Sequence, residues 1–366
     1  MKTVPISLKR SKRDGNMIPL YKPYMPEQLP ELETILRSGA LAYGKYGRLF
    51  EKRLSDWIGT PYLLTVNSHN SAALVLIKTL DLKGDDEVIA SPMTCLASSQ
   101  PFASLGIRLR WADIDPHTGT LNPESVIAKI NSKTKAIIHN HFCGNVGYIE
   151  EISRIAKDNG LLLIDDAIEA FGSEWNGKKM GNLPADATIM SFQTVRLPNT
   201  IDGGALSFRH KDLYEKAVLF RDFGIDRPTF RDDINEINPG CDITLAGFGA
   251  TPSDVNSYIG LCQINSLDEL IARQRRNLSI WPDLLSKTEI PVSITPGSNP
   301  NGWVFGMLSQ NKHDSIIKWR QKGFYASGVH LPNNYYSVFG DKSMLPGVSD
   351  FYSGFVALPS GWWVDL

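Results

Sequence analysis

The sequence predicts an α/β protein with a mostly parallel seven-stranded sheet, helices on both faces and a small C-terminal α/β domain. Seven short apolar segments rich in β-branched residues alternate with segments of helical period in the first 250 residues. Strands of a parallel sheet are buried on both faces and show this apolar pattern. Beyond residue 250, one long amphipathic segment leads into further strand-like segments, which favours a second domain.

The strand candidates, in chain order, are PYLLTV (61–66), EVIA (87–90), IRLRWADI (107–114), KAIIHNHF (135–142), GLLLID (160–165), ATIMSF (187–192) and GALSF (204–208). The helix candidates among them are SAALVLIKTLDL, NPESVIAKI, IEEISRIAKDNG and KDLYEKAVLFRDFG. Asn122 followed by Pro123 is a typical helix start, and Gly160 and Gly224 are typical helix ends. The alternation therefore predicts strands joined by crossover helices.

Changes in composition divide the chain into regions. Residues 1–16 read as a flexible polar arm, and residues 17–250 as a large domain that contains the sheet. The polar, Pro- and Gly-rich stretch at 225–250 predicts a long loop or a crossover between subunits. Residues 251–366 then form the small domain, which begins with a long connecting helix and has VSITPG, GWVFGML and YASGVHL as strand candidates.

Composition and charge exclude several classes of protein. The 366 residues carry a formal charge of -1 with an isoelectric point near 6.7, which gives no sign of nucleic-acid binding. No apolar run approaches the ~18 residues of a membrane span. The four cysteines form no close CxxC pair, so we expect neither a metal site nor a disulfide framework, and a cytoplasmic location fits them best.

Three segments predict a ligand site at the carboxyl edge of the sheet. In NSHNSAAL (67–74) a helix starts directly after a strand, so the backbone N–H groups of Asn70, Ser71 and Ala72 favour a phosphate. In LLLIDDAIEAFG (161–172) the side chains of Asp165 and Asp166 alternate, so that one faces a ligand and the other faces out. A buried carboxylate needs a cationic partner, and a protonated pyridine nitrogen is one.

The third segment, SFQTVRLPNTIDGG (191–204), places a cation between a serine and a glycine pair. That cation is Arg196, and an arginine is not an amine nucleophile because its guanidinium stays protonated. Lys178 and Lys179 do not replace it, because GKKMG reads as an exposed turn. We expect Arg196 to bind a phosphate, a substrate carboxylate or Asp166 instead.

These segments resemble the DegT/DnrJ/EryC1/StrS family of pyridoxal-phosphate-dependent sugar aminotransferases. The resemblance also rests on SGALAYGKYGRLFE (38–51), GDDEVIASPMTC (84–95), DIDPHTGTLNPE (113–124), TKAIIHNHFCGNVGYIEEISRIAKDNG (134–160) and DVNSYIGLCQINSLDELIARQRRN (254–277). It implies the type I transferase fold, pyridoxal or pyridoxamine phosphate as cofactor, and cytoplasmic homodimers with shared active sites. It also implies a keto-sugar substrate, usually nucleotide-linked, and an amino donor such as glutamate, for amino sugars of lipopolysaccharide or other polysaccharides, or of antibiotics.

The resemblance assigns roles to individual residues. Asp166 matches the acid beside the pyridine nitrogen, Ser71 and Ser191 match phosphate contacts, and Glu169 stands beside the ring's phenolic oxygen. Two acids there would repel each other unless Glu169 is protonated or points away. His330, Tyr335 and Tyr336 lie where relatives contact the sugar. His141 matches a structural histidine, so we expect no metal at His139 and His141, whereas His69 is either a cofactor contact or structural.

Arg196 falls on the Schiff-base lysine, and this is the largest departure from the family. Met93 and Thr94 stand where a stacking aromatic is usual, and Gly249 stands where an asparagine or lysine reaches the partner's phosphate. Three hypotheses follow. The chain is an aminotransferase in which Arg196 is a natural or introduced change, a lysine-less partner or regulatory subunit that binds cofactor or sugar non-covalently, or a pyridoxamine-phosphate-dependent sugar dehydratase.

Overall fold

The computed structural model describes residues 17–366, so the arm predicted for residues 1–16 lies outside the described part. The helices are α1 (Leu32–Arg37), α2 (Lys45–Ile58), α3 (His69–Thr79), α4 (Leu96–Ser104), α5 (Pro123–Lys129), α6 (Ile149–Asp158), α7 (Lys211–Arg221), α8 (Arg227–Phe230), α9 (Asp254–Gln263), α10 (Leu267–Leu284), α11 (Lys312–Gln321) and α12 (Pro346–Gly354). The strands are β1 (Leu63–Val66), β2 (Glu87–Ala90), β3 (Arg108–Trp111), β4 (Thr134–Asn140), β5 (Leu162–Asp166), β6 (Glu174–Trp175), β7 (Lys178–Lys179), β8 (Ala187–Ser191), β9 (Gly204–Phe208), β10 (Glu289–Pro291), β11 (Ser298–Asn299), β12 (Val304–Ser309) and β13 (Phe355–Pro359).

The central sheet has seven strands in the order β1-β9-β8-β5-β4-β2-β3. Neighbours from β3 to β8 pair in parallel, and β9 runs antiparallel to both β8 and β1. The predicted fold class is therefore confirmed, and each of the seven predicted segments overlaps one of these strands. Because parallel strands end at one edge, the last residues of β4, β5 and β8 come together there.

The helices between the strands bury one apolar stripe each. Helix α6 places Ile149, Ile152 and Ile155 in the core and Glu150 and Glu151 in its first turn, where acids complement the helix dipole. Helix α5 starts as predicted, since the Asn122 side chain accepts the Ser125 N–H at 2.9 Å. Ile152 and Ile155 pack in one cluster with Ile89 and Ile137 of the sheet, so α6 covers one of its faces.

The C-terminal part differs from the sequence prediction. The predicted single connecting helix is two helices, α9 and α10, joined by a 3₁₀ turn at Ile264–Ser266. A three-stranded antiparallel sheet of β10, β12 and β13 follows. Of the strand candidates, GWVFGML overlaps β12, whereas VSITPG and YASGVHL form no strand. Within YASGVHL, Val329 adopts a left-handed backbone angle. Strand β13 was not predicted.

Membrane insertion through a helix is not supported. Within residues 17–366, no helix combines the length and the apolar character that a membrane span requires.

Candidate functional site

Asp166 ends β5 and lies buried at the carboxyl edge of the sheet, with 1% of its surface exposed. Its Oδ1 accepts the Ile168 N–H at 3.1 Å, and its Oδ2 accepts the Asn140 amide at 3.2 Å. Thr94, which also accepts the Asn140 amide, lies 3.5 Å from the same Oδ2. Neutral donors therefore hold this carboxylate, and within residues 17–366 it has no ion-pair partner.

Asp165 points to the other side of β5, as the alternation predicts, but it does not face out. It is fully buried, with Oδ1 3.2 Å from His141 Nε2 and 3.6 Å from His139 Nδ1. Burial alone would raise the pKa of Asp165, but the two imidazoles lower it to about 2. The pKa of His139 is lowered to about 4 by burial and by the neighbouring His141. A Cβ on Gly147 would come within 2.2 Å of His139 Nε2, so glycine leaves room for this ring.

The spacing of this cluster bears on metal binding. Ligand atoms of His139, His141 and Asp165 lie within 4.8 Å of one another, close enough to approach one ion. Asp165 lies within 3.6 Å of both imidazoles, although these contacts do not have hydrogen-bond geometry, and Gly147 donates its N–H to His141 Nδ1 at 3.1 Å. A structural cluster accounts for these contacts, and the absence of a metal stays a prediction.

The amino end of α3 has the form of an anion site. Ser68 caps the helix by accepting the Ser71 N–H at 3.0 Å, and its hydroxyl donates to Ser71 Oγ at 2.9 Å. The Ala72 N–H bonds to the Ser68 carbonyl at 3.0 Å, so among the three predicted amides only Asn70 N–H is left without an acceptor in the described residues. A phosphate here would be bound by Asn70 N–H and by the hydroxyls of Ser68 and Ser71.

His69, the first residue of α3, lies between this helix end and the buried charges of the site. It is 1% exposed, and neither ring nitrogen has a hydrogen-bond partner. Burial lowers the pKa of His69 to about 4, against the attraction of Asp166 and with the help of the nearby Arg196. The ring is therefore neutral at physiological pH and has two nitrogen atoms that a ligand would satisfy.

Arg196 is buried without a counter-charge. It is 8% exposed, and its guanidinium carbon lies 4.3 Å from the ring centroid of Trp303, which in turn stacks on Tyr21 at 4.9 Å. Its Nε and Nη1 have no acceptor, and no carboxylate of residues 17–366 lies within 4.0 Å. Lys179 donates to the Trp57 carbonyl at 3.1 Å and lies over the Trp57 ring, so neither β7 lysine joins Arg196.

Glu169 is ionised and held in place. Its Oε1 lies 2.6 Å from His330 Nε2, and its Oε2 accepts the Cys143 N–H at 2.8 Å. Burial would raise the pKa of Glu169, but the contact with His330, the nearby Arg196 and the Cys143 N–H together lower it below its usual value. The lowered pKa and the two contacts mean that Glu169 is neither protonated nor withdrawn. Burial and then Glu169 hold the pKa of Tyr21 well above its usual value.

The predicted residues differ in their exposure. Ser191 is buried at the end of β8, whereas Tyr335 and Tyr336 are exposed, at 48% and 36%, and Tyr335 packs against Tyr352. Sequence reasoning missed Tyr21, Asn140 and Trp303, which come from distant parts of the chain. No local motif marks these residues, although the alternation along β4 is a signal that could have placed Asn140 at the ligand edge.

A comparison with known protein families shows to which family this chain belongs. A sequence profile of the DegT/DnrJ/EryC1/StrS aminotransferase family matches residues 24–363. The chain belongs to this family. A relative, the dTDP-4-dehydro-2,3,6-trideoxy-D-glucose 4-aminotransferase of Saccharopolyspora spinosa, is 26% identical over 94% of this chain and 91% of its own.

Two further similar proteins extend the comparison. The GDP-4-keto-6-deoxy-D-mannose 3-dehydratase of Yersinia pseudotuberculosis is 26% identical over 80% of this chain and 77% of its own. The PMP-form of the putative sugar aminotransferase Spr1654 from Streptococcus pneumoniae superposes with a TM-score of 0.86 at 20% identity, over 95% of this chain and 94% of that one. The family is thus one of sugar aminotransferases that also includes a dehydratase.

The residues present fit the cofactor of this family in part. The hydroxyls at the start of α3 suit a phosphate, Asp166 suits a protonated ring nitrogen, and the unpaired nitrogens of His69 and Arg196 suit further ligand oxygens. Arg196 does not fit an imine to the cofactor aldehyde, because a guanidinium is not a free amine. The donor set therefore fits pyridoxal or pyridoxamine phosphate bound non-covalently.

Proposed function

We propose that this chain binds pyridoxal or pyridoxamine phosphate non-covalently and acts on a keto sugar in polysaccharide or deoxysugar biosynthesis. Of the predicted residues Asn70, Ser71, Ala72 and Ser191, the phosphate would be bound by the Asn70 N–H and the Ser71 hydroxyl, together with Ser68 and near Ser191, whereas the Ala72 N–H already bonds to the Ser68 carbonyl. Asp166 would bind the pyridine nitrogen. When bound, the cofactor serves as an electron sink for the substrate carbon that carries nitrogen. The proposal depends above all on Arg196, a buried unpaired cation at the position of the Schiff-base lysine.

Arg196 has a different role from a lysine at the same position. The guanidinium of Arg196 is permanently charged and packs against the Trp303 ring. Glu169 and Asp166 are hydrogen-bonded to other groups and do not pair with it. An anionic or carbonyl oxygen of a ligand completes its hydrogen bonds. Transamination through a lysine amine is accordingly replaced by binding and orientation in this chain.

The substrate is a nucleotide-linked keto sugar such as GDP-4-keto-6-deoxy-D-mannose, which is named in the Yersinia relative. His330 would contact this sugar, and glutamate would be the amino donor of any transamination that does not use a lysine amine. A homodimer completes the site, because exposed apolar residues of the segment 225–250, including Ile234 and Ile237, suit a subunit contact. The four free cysteines suit a cytoplasmic location.

A sugar dehydratase is the second candidate. The observation that favours it is the missing lysine together with the dehydratase among the relatives. A partner or regulatory subunit that binds the sugar without turnover is the remaining alternative, and it shares the same binding contacts.

The deciding experiment compares the natural chain with Arg196→Lys. Both proteins are titrated with pyridoxal phosphate, and binding is followed by calorimetry and by the visible absorbance of an imine before and after borohydride reduction. We expect both proteins to bind, with only Arg196→Lys showing an imine that borohydride makes permanent.

Arg221→Lys is the matched control, because Arg221 is also buried on an aromatic ring but lies in another part of the fold. It should show no imine. Calorimetry that detects no pyridoxal or pyridoxamine phosphate binding to the natural chain would rule out the cofactor proposal and favour sugar binding alone.

A further inference from the structure

Glu169 is a firmly held acid of the site, and its two carboxylate oxygens have different partners. Its side chain is 0% exposed, and Cys143 N–H and His330 Nε2 bind the two oxygens at 2.8 and 2.6 Å. The Asn301 amide donates to the Glu169 carbonyl at 2.9 Å. Backbone and side chain are therefore both held, so the carboxylate has one defined position relative to His330.

Both groups that bind the Glu169 carboxylate lie at or directly after a residue with a left-handed backbone angle. Cys143 has φ 53°, and Val329, directly before His330, has φ 60°. A β-branched residue in the left-handed region is a genuine outlier, and such strain concentrates at functional sites. At Val329 the strain turns His330 toward Glu169, and at Cys143 it turns an N–H toward the same carboxylate.

The hydrogen bond assigns the protons of the pair. An ionised carboxylate only accepts, so His330 Nε2 carries the hydrogen and donates it to Glu169. In neutral His330 the lone pair is then on Nδ1, which has no hydrogen-bond partner within residues 17–366. The His330 side chain is 19% exposed, so a base next to the site keeps access to solvent.

We propose that His330, oriented by Glu169, is a general acid–base for carbon–hydrogen bonds beside the ketone of a sugar. The inference rests on the keto-sugar part of the proposed function and not on the cofactor. Nδ1 takes the proton while the C–H electron pair forms a C=C bond and the carbonyl π pair moves to oxygen. Arg196, which lines the same cleft as Glu169, stabilises that oxyanion, and return of a proton from His330 restores the ketone.

The step is therefore a reversible enolisation that needs no oxidant, reductant or co-reactant. It exchanges the carbon-bound proton for a solvent proton and leaves the sugar otherwise unchanged. In D₂O the product is the same sugar with deuterium beside the ketone.

The experiment uses GDP-4-keto-6-deoxy-D-mannose in D₂O, without cofactor, and follows loss of the proton signals on the carbons next to the ketone. Binding is measured in parallel by saturation-transfer NMR. We expect exchange well above the buffer rate, reduced by about 100-fold in His330→Asn, in line with the usual contribution of a general base. His313→Asn, which changes an exposed histidine beside Asp314, should exchange like the natural chain.

Glu169→Gln tests the orienting residue. An amide both donates and accepts, so it no longer fixes the proton on Nε2 of His330. We expect the imidazole nitrogen shifts of His330 to report a mixture of tautomers in this variant, with slower exchange and unchanged sugar binding. A purely structural role for Glu169 would leave the His330 tautomer as it is.

The outcomes separate the two proposals. No binding of the sugar would overturn the keto-sugar proposal and this inference with it. Binding without exchange, or exchange that persists in His330→Asn, would overturn the inference alone. Exchange that depends on His330 and on the tautomer set by Glu169 would support it.

Discussion

Two buried arginines of this chain, Arg221 and Arg196, share nearly every property except their partners. Arg221 is 5% exposed and Arg196 is 8% exposed, and each lies over an aromatic ring, Tyr43 at 4.6 Å and Trp303 at 4.3 Å. Arg221 forms an ion pair with Glu51 and donates to the Thr65 carbonyl at 3.0 Å. Arg196 has no such acceptor within residues 17–366.

The difference separates a structural charge from one kept for a ligand. A buried charge is costly unless it is paired, so an unpaired one persists where another molecule supplies the counter-charge. The adjacent acids of β5 repeat the contrast, since Asp165 is engaged by two imidazoles whereas Asp166 has only neutral donors. Within residues 17–366, Arg196 and Asp166 thus lack an oppositely charged partner, and both belong to the candidate site.

The largest expected effect of a single substitution is at the paired arginine. Arg221→Met leaves the partly buried Glu51 without its cation, and breaking a buried ion pair costs about 3–5 kcal/mol. Urea unfolding should show this loss in the free energy of unfolding. The double variant Glu51→Gln with Arg221→Met should recover part of it, because the orphaned carboxylate is then removed. A loss below about 1 kcal/mol in the single variant would contradict the structural role of the pair.

The second effect is a loss of stability in acid, and it involves one histidine from each side of β5. The pKa values of His139 and His69 are each lowered to about 4 in the fold, mainly by burial, from about 6.5 in an unfolded chain. Between pH 4 and pH 6.5 the unfolded chain therefore binds more protons than the folded chain. The free energy of unfolding has its full value above about pH 6.5 and decreases as the pH falls toward 4. Each histidine contributes about 3 kcal/mol to this fall, since each pKa unit is worth about 1.4 kcal/mol.

Unfolding in urea at about pH 7, 5.5 and 4.5 measures this dependence. His139→Asn and His69→Asn should each remove about half of the slope, whereas exposed His313→Asn should leave it unchanged. An identical slope in all three variants would show that other groups cause the acid sensitivity. Bound pyridoxamine phosphate should alter only the contribution of His69, because His139 lies in the Asp165 cluster on the opposite side of β5.

The same contrast explains what could be read from the sequence. The seven strands were recognisable because burial on both faces forces apolar, β-branched runs, and the α5 start because Asn122 and Pro123 act locally. The break between α9 and α10 was missed because amphipathic periodicity continues through Ile264–Ser266. Strand β13 is short and directly follows α12, so its FVALP segment has no pattern long enough to separate the two.

The candidate site was predictable only where its residues follow strand ends. Asp166, Ser71 and Ser191 meet this condition, and the resemblance to the family pointed to Glu169 and His330. Tyr21 and Trp303 reach Arg196 only through tertiary packing, and the sequence has no local signal for their stacking. The contact between Glu169 and His330 likewise joins residues that are 161 positions apart in the sequence.

The smallest expected effect has the opposite sign and is at the unpaired arginine. Arg196→Met removes a buried charge that has no partner and places a flexible thioether against the Trp303 ring. Replacing buried charge with apolar groups of similar volume is often neutral or stabilising, so the free energy of unfolding should stay constant or rise by about 1 kcal/mol. Urea unfolding of Arg196→Met beside Arg221→Met measures this, with calorimetric titration of pyridoxamine phosphate as the functional readout. If Arg196→Met is more stable but binds pyridoxamine phosphate more weakly, Arg196 serves ligand binding at the expense of stability. If its free energy of unfolding falls as much as that of Arg221→Met, Arg196 has a structural role.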